Sequence, residues 1–302
     1  RINFLTIDNS LDFTETLEIN SQSKTSELDQ RSLLGGVSWN RLWNDNLETT
    51  VLAYGTYYLL DAINKDIFTT QEQIQKNEVL ETGAKLDATI GLSQTIKFQT
   101  GYHFSEIGIA NTQDVNLPRF RNYEKDVLRT HVLFAGLNYI SINQKTSVFG
   151  GVRGNYFSKF DKILVEPRLS LNQKLGNGFA VEVLGELKSQ STTQRIDFES
   201  DFLGIEKRRW VLADEENTPI LKSKQASAGL VYGKKGLFIN LEGFYKIVED
   251  INSANQGFQN QFQFTKAIGN YTVKGVEFVV NKKTKSFSTW LSYTYSENDY
   301  NF

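Results

Sequence analysis

The chain has 302 residues, a net charge of −2, 39% hydrophobic residues and neither cysteine nor methionine. Disulfides and a thiolate metal site are excluded, and the lack of a large basic block speaks against a nucleic-acid partner. No run of about twenty apolar residues occurs, which rules out a transmembrane helix; a membrane barrel stays open, because its strands alternate outward and inward side chains and keep mean hydropathy modest.

Helical periodicity is almost absent, and period-two alternation recurs along the whole chain. It predicts strands near 9–20, 31–43, 47–60, 78–90, 95–107, 125–140, 146–158, 163–175, 178–190, 222–233, 236–247, 271–282 and 286–297. The pair around 163–190 is the clearest. Ile163, Val165, Leu169 and Leu171 share one face, and Glu166, Arg168, Ser170 and Asn172 share the other. Gly176-Asn177-Gly178 then supplies residues that tolerate positive φ, as a tight hairpin requires. Pro167 predicts a bulge or an interrupted hydrogen bond inside its strand.

The connections alternate in length. Short ones fall at 44–46, 91–94, 141–145, 176–178, 233–235 and 283–286, and long ones at 61–77, 108–124, 191–221 and 248–270; a short link at 159–162 breaks the pattern. Strands of about a dozen residues span roughly 28 Å when tilted by about 45°, close to the apolar thickness of a bilayer. Trp39, Trp43 and Tyr139 precede short turns and Tyr57 lies toward a long loop, where amphipathic rings meet headgroups. The fold class is therefore all-β, an antiparallel transmembrane β-barrel segment. With no methionine and no leader-like segment at Arg1, the chain reads as an internal piece of a longer protein.

The last third carries a family resemblance. Gly275-Val276-Glu277, the basic turn Lys282 to Lys285, and Trp290-Leu291-Ser292-Tyr293-Thr294-Tyr295-Ser296 resemble the late barrel of TonB-dependent outer-membrane receptors. Pro219, Leu221, Lys222, Ser223 and Gln225, then Glu242, Phe244, Tyr245 and Lys246, resemble a loop exit and hairpin of that family, and Pro167-Arg168 with Ser170 fits an earlier strand. The match is specific over 163–300 and generic before it. The resemblance implies a 22-stranded barrel with short periplasmic turns and long extracellular loops. Residues 1–302 would supply about 13–14 of its strands as a partial barrel domain, without the plug, TonB box or final strands. It implies outer-membrane lipid, the plug, the TonB complex and a small-molecule ligand as partners. It further implies import of a scarce nutrient across the outer membrane of a Gram-negative bacterium. An iron chelate is the first choice of cargo, with cobalamin, oligosaccharide or peptide as alternatives. A passive porin-like channel, an outer-membrane enzyme and a soluble β-rich adhesin are the rivals.

No catalytic residue, metal site or cofactor is assigned. There is no G-x-S-x-G elbow, and His103 and His131 read as ordinary strand residues that could touch a ligand. Arg119, Phe120, Arg121 and Tyr123 in one long loop, and Arg208, Arg209 and Trp210 after Lys207 in another, interleave cations with rings in a way that suits an anionic, partly aromatic ligand. Glu166, Arg168, Glu182, Glu186, Lys188, Glu242, Lys246 and Glu277 fall on the polar faces of their strands and are the candidates for lining the lumen or meeting the plug.

Overall fold

The computed structural model describes residues 1–17, 22–66, 69–196, 208–214, 216–253 and 267–302. Among them the strands are β1 (Ile2–Leu17), β2 (Gln22–Asn44), β3 (Leu47–Asp66), β4 (Glu72–Gly91), β5 (Ile96–Val115), β6 (Phe120–Ile140), β7 (Thr146–Phe157), β8 (Lys162–Gly176), β9 (Phe179–Gln190), β10 (Thr192–Ile196), β11 (Arg208–Leu212), β12 (Leu221–Lys234), β13 (Leu237–Asn252), β14 (Ile268–Lys283) and β15 (Ser288–Asn301). Thirteen form one antiparallel meander from β1 to β15, in which β12 follows β9 directly; β10 and β11 form a separate hairpin. β1 and β15 are the edges of this sheet and do not pair with each other, so the sheet is an open barrel-like segment.

Register sorts the side chains into two faces. On one lie Val51, Leu86, Tyr102, Leu133, Val152, Leu169, Val183, Leu241, Val276, Phe278, Leu291 and Tyr293. This outer face is apolar, and its large side chains are exposed: Leu133 is 67% and Leu291 63% accessible. Two borders bound the band. Toward the short turns Trp39 and Trp43 meet edge to face at 6.2 Å, Arg41 stacks on Trp43 at 4.0 Å, and Phe179 packs on Tyr232 at 4.8 Å. Toward the long connections a belt of cross-strand ion pairs appears: Asp61 with Lys76 at 2.6 Å, Glu106 with Arg129 at 2.5 Å, Lys224 with Glu249 at 2.7 Å and Lys274 with Glu297 at 3.0 Å. On β6, Tyr139 and Arg129 mark the two borders. The ten-residue interval between them is about 33 Å of strand, or about 23 Å at a barrel's usual tilt, close to the ~25 Å apolar band of membrane barrels. His131 sits just inside the second border, its Nδ1 2.7 Å from the Tyr102 hydroxyl and its ring beside Phe104 and Tyr156. It therefore belongs to an outward aromatic belt, away from any inner site.

The short-turn rim is tied together. Gly91 N–H donates to Asn46 C=O at 2.7 Å, Ile140 to Thr95 at 2.8 Å, Lys174 to Lys145 at 2.7 Å, Gly233 to Gly178 at 2.7 Å and Lys283 to Gly236 at 2.8 Å. Gly176, Asn177 and Gly178 adopt φ of +102°, +54° and +93°, as the sequence predicts. Gly236 has φ +73°, and a Cβ there would collide with the Lys283 carbonyl oxygen. Gly236→Ala is therefore expected to destabilise the folded protein by about 1–3 kcal/mol, read as a lower unfolding midpoint of the full-length protein in detergent; an unchanged midpoint would mean that the rim contact is dispensable.

The predicted strands are all present, but several are longer than expected, and all four long connections are corrected. Residues 61–66 and 72–77 belong to β3 and β4, residues 108–115 and 120–124 continue β5 and β6, the connection read over 191–221 contains β10 and β11, and residues 248–252 and 268–270 belong to β13 and β14. The first strand begins at Ile2 rather than residue 9; residues 18–20 of that prediction lie outside the described residues, as do Lys207, 254–266 of the last long connection and residue 215. Pro167 makes no bulge: it keeps register with Val152. The predicted interruption is real on its other side, where the ladder to β9 stops at Arg168, next to the residue that has no N–H to give.

Candidate functional site

The second face of the sheet is polar, and the chain folds back onto it. Between β9 and β12 the β10–β11 hairpin packs across β4, β5 and β6, which defines this face as the inner one. Leu212, Ala213 and Ile220 cluster with Ile109, Leu128 and Phe157, all 5% exposed or less. Phe160 and Leu164 pack against the same cluster, so the short β7–β8 link at 158–161 lies beneath the hairpin's base. Asn77, 2% exposed, accepts the Trp210 N–H at 3.0 Å and donates to the Trp210 carbonyl at 3.2 Å; Asn111 donates to the same carbonyl at 3.2 Å.

After β11 the chain turns on Asp214, whose Oδ1 accepts from the backbone N–H groups of Glu216, Asn217 and Thr218 at 2.9, 2.5 and 2.9 Å. Partial burial works against the charge, but these three donors together outweigh it and hold the carboxyl below its ordinary value. A depressed carboxyl contributes stability above its unfolded pKa and loses it as pH falls through its folded pKa. The turn after β11 should thus hold at neutral pH and loosen only below about pH 3.8. Proteolytic sensitivity of 213–220 in the full-length protein, compared at pH 7 and pH 3, reads this directly; sensitivity unchanged at pH 3 would remove the carboxylate from the account.

Beside the hairpin the inner wall is charged and cross-linked. Tyr54 donates to Glu81 at 2.7 Å and carries Lys85 over its ring at 5.3 Å; His103 Nε2 lies 2.6 Å from Asp87. Glu166, 5% exposed, faces Arg168 at 3.3 Å and Arg153 at 4.0 Å, and its other oxygen accepts from the Ser189 N–H at 2.8 Å and hydroxyl at 2.6 Å. That carboxylate occupies the place where β8 and β9 have lost their ladder, giving the Ser189 N–H a partner that the strand backbone does not supply. Glu186 bonds Lys188 and Gln225, both at 2.6 Å. A recess of about 440 Å³ lies among Tyr54, Glu81, His103, Arg153, Glu166 and Lys188.

Glu166, Arg168, Glu182, Glu186 and Lys188 thus lie together on the inner face of β8 and β9, with Glu182 bonded to Asn172 at 2.7 Å. Glu242, Lys246 and Glu277 lie on the inner face of β13 and β14, further round the sheet. Tyr54, Glu81, Lys85, Asp87 and Arg153 belong to the same wall and escaped the sequence reading; their signal was the matched polar alternation of β3, β4 and β7, such as Glu81, Lys85 and Asp87 at even spacing.

The two groups of loop candidates part company. Arg119 sits at the tip of the β5–β6 hairpin, 3.1 Å from Asp114, with Arg121 3.8 Å from the same carboxylate. Arg119, Phe120, Arg121 and Tyr123 are exposed, and register turns Arg121 and Tyr123 outward and Phe120 inward. Arg208 is exposed on β11, whereas Arg209 is buried and Trp210 is held by its backbone against β4 and β5.

No protein-family model matches this chain, and no curated protein matches it in sequence. Solved structures do match in fold. The copper transporter OprC aligns over 98% of this chain and 54% of its own, with a TM-score of 0.65 at 10% identity. The ferric yersiniabactin uptake receptor FyuA from Yersinia pestis aligns over 99% and 49%, with a TM-score of 0.63 at 11% identity. The RagAB peptide transporter aligns over 92% and 37%, with a TM-score of 0.59 at 10% identity. The likeness is one of fold. The chain spans between about a third and a little over half of each of these structures.

Proposed function

We propose that this chain is the middle of the barrel of a TonB-dependent outer-membrane receptor in a Gram-negative bacterium. The whole protein would capture a scarce nutrient at the cell surface and import it with energy relayed by the TonB complex to a plug domain inside a barrel of 22 strands. The observation that carries this reading is the pairing of an outer apolar band, bordered by rings and by ion pairs, with a polar inner face on which the chain's own hairpin docks beside a charged wall. The protein is read as a transporter, with no catalysis.

The cargo we assign is a ferric siderophore or another iron chelate, a choice supported by the fold shared with a receptor described as taking up ferric yersiniabactin. On this reading Arg119, Phe120, Arg121 and Tyr123 at the β5–β6 tip and Arg208 on the hairpin meet the anionic ligand first, with Arg209 and Trp210 moving with the hairpin. Glu166, Arg168, Glu182, Glu186, Lys188, Glu242, Lys246 and Glu277 face the plug.

The test is growth of a strain lacking the full-length gene on single ferric chelates, alongside cobalamin and glycans. The expected result is loss of growth on one ferric chelate, restored by the intact gene and not by a version without its plug that still folds. Normal growth on every iron source overturns the iron assignment.

A further inference from the structure

Beneath the hairpin the inner wall is apolar around Ile109, Leu128 and Phe157, and next to that cluster it carries neutral amides. There Gln75 pairs in register with Gln113, and Asn77 with Asn111, on β4 and β5. These four carboxamides form a neutral quartet on one face, and each amide offers both acceptor and donor atoms.

The quartet already holds a ligand of a kind. Asn77 takes both the N–H and the C=O of Trp210, and Asn111 takes that C=O again. The contacts are to main chain, so the indole contributes no polar contact to them and a peptide unit of any residue type would serve. Asn77 and Asn111 are also bonded to each other at 2.9 Å, which fixes the orientation of the pair. In the other half of the quartet Gln75 is not used. Gln75 is 4% exposed, and among the described residues neither its oxygen nor its nitrogen has a hydrogen-bond partner. Leaving a buried amide with no bond is costly, which marks Gln75 as a group whose partner arrives from elsewhere.

We propose that Gln75, Asn77, Asn111 and Gln113 form a binding site for the secondary amides of an extended ligand, and that β11 is its internal occupant. The chemistry is that of strand addition, where main-chain donors and acceptors give affinity without demanding particular side chains. A free oligopeptide and a chelator with amide linkers present the same groups. The inference rests on the import reading only in taking the inner face as the route of cargo.

The experiment uses full-length protein in detergent and titration calorimetry. The probes are a blocked hexaalanine peptide, its fully N-methylated counterpart, and a ferric trihydroxamate chelate made with amide or with ester linkers. In one variant 192–212 is replaced by a short Gly-Ser linker, which removes the competitor. It is expected to bind at least one amide probe at least tenfold tighter than the unaltered protein does. The matched N-methyl or ester probe should bind at least tenfold more weakly than its amide form. Adding Asn77→Ala and Asn111→Ala to that variant should abolish the preference. If either protein fails to keep the heat-resistant migration of a folded barrel, Asn77→Asp in the unaltered protein, which keeps acceptors and loses donors, replaces them and should weaken amide probes alone. Binding of the peptide identifies free peptides as the source, and binding of the amide chelate alone identifies the chelator; both uphold the site. Equal binding of amide and matched probes, or no binding of any probe, overturns it. Growth on iron chelates is scored separately, so either result can fail without the other.

Discussion

Leu86→Arg is expected to cost about 2–4 kcal/mol of stability in a bilayer, while Lys85→Leu, one residue away, costs less than about 1 kcal/mol. The two side chains point to opposite faces of β4. Leu86 is on the outer face opposite Tyr102, and Lys85 is on the inner face opposite His103. Leu86 lies between the ring-lined border and the charged one, where a guanidinium would face lipid with no water to solvate it. Lys85 is a cation by nature and rests over the Tyr54 ring, a contact worth well under the price of a charge in hydrocarbon. Denaturant unfolding of the full-length protein in phospholipid vesicles measures both. Equal costs for the two substitutions would mean that the outer band does not face lipid.

Leu212→Ala should release the hairpin without unfolding the sheet. Leu212 is 4% exposed and belongs to the cluster with Ile109, Leu128 and Phe157. Truncating a buried leucine costs about 2–5 kcal/mol. Here that loss falls on one docking equilibrium, because the strand ladders on either side of the hairpin do not pass through it. At about 1.4 kcal/mol per factor of ten, docking weakens between roughly thirtyfold and a few thousandfold. The Trp210 amide, which donates to Asn77, reports this by hydrogen exchange, and its rate should rise by that factor while amides of β4 and β5 stay protected. Exchange at Trp210 equal to that of the unaltered protein would show that the apolar cluster does not hold the hairpin.

The sheet was legible where one face is apolar and the other polar. Ile163, Val165, Leu169 and Leu171 against Glu166, Arg168, Ser170 and Asn172 marked β8 from sequence alone, and the register bears out that division. The outer parts of the extensions of β5 and β6 were not legible, because over 112–114 and 121–123 both faces are polar. Thr112, Gln113 and Asp114 facing Arg121, Asn122 and Tyr123 show no alternation although they form a ladder. β10 and β11 are five residues each, "TTQRI" and "RRWVL", too short for a period to declare itself. The inner wall was half read. Glu166 and Arg168 stood out on their own strand, but Arg153 and Ser189 reach Glu166 only through pairing across three strands, and no local pattern announces that. The Asn77 clasp on Trp210 joins residues 133 apart, and short polar residues at such a separation carry no signal of meeting.

The meander also fixes an order of events. Every strand of the large sheet pairs with a neighbour in sequence except across the gap from β9 to β12, so most closures are short and fast. The hairpin in that gap docks instead on β4, β5 and β6, whose inner face becomes a continuous surface only once those strands have joined. Its docking is therefore a late step in assembly, taken after its platform is complete. Because no ladder of the large sheet runs through the hairpin, that step can also be undone while the sheet stands.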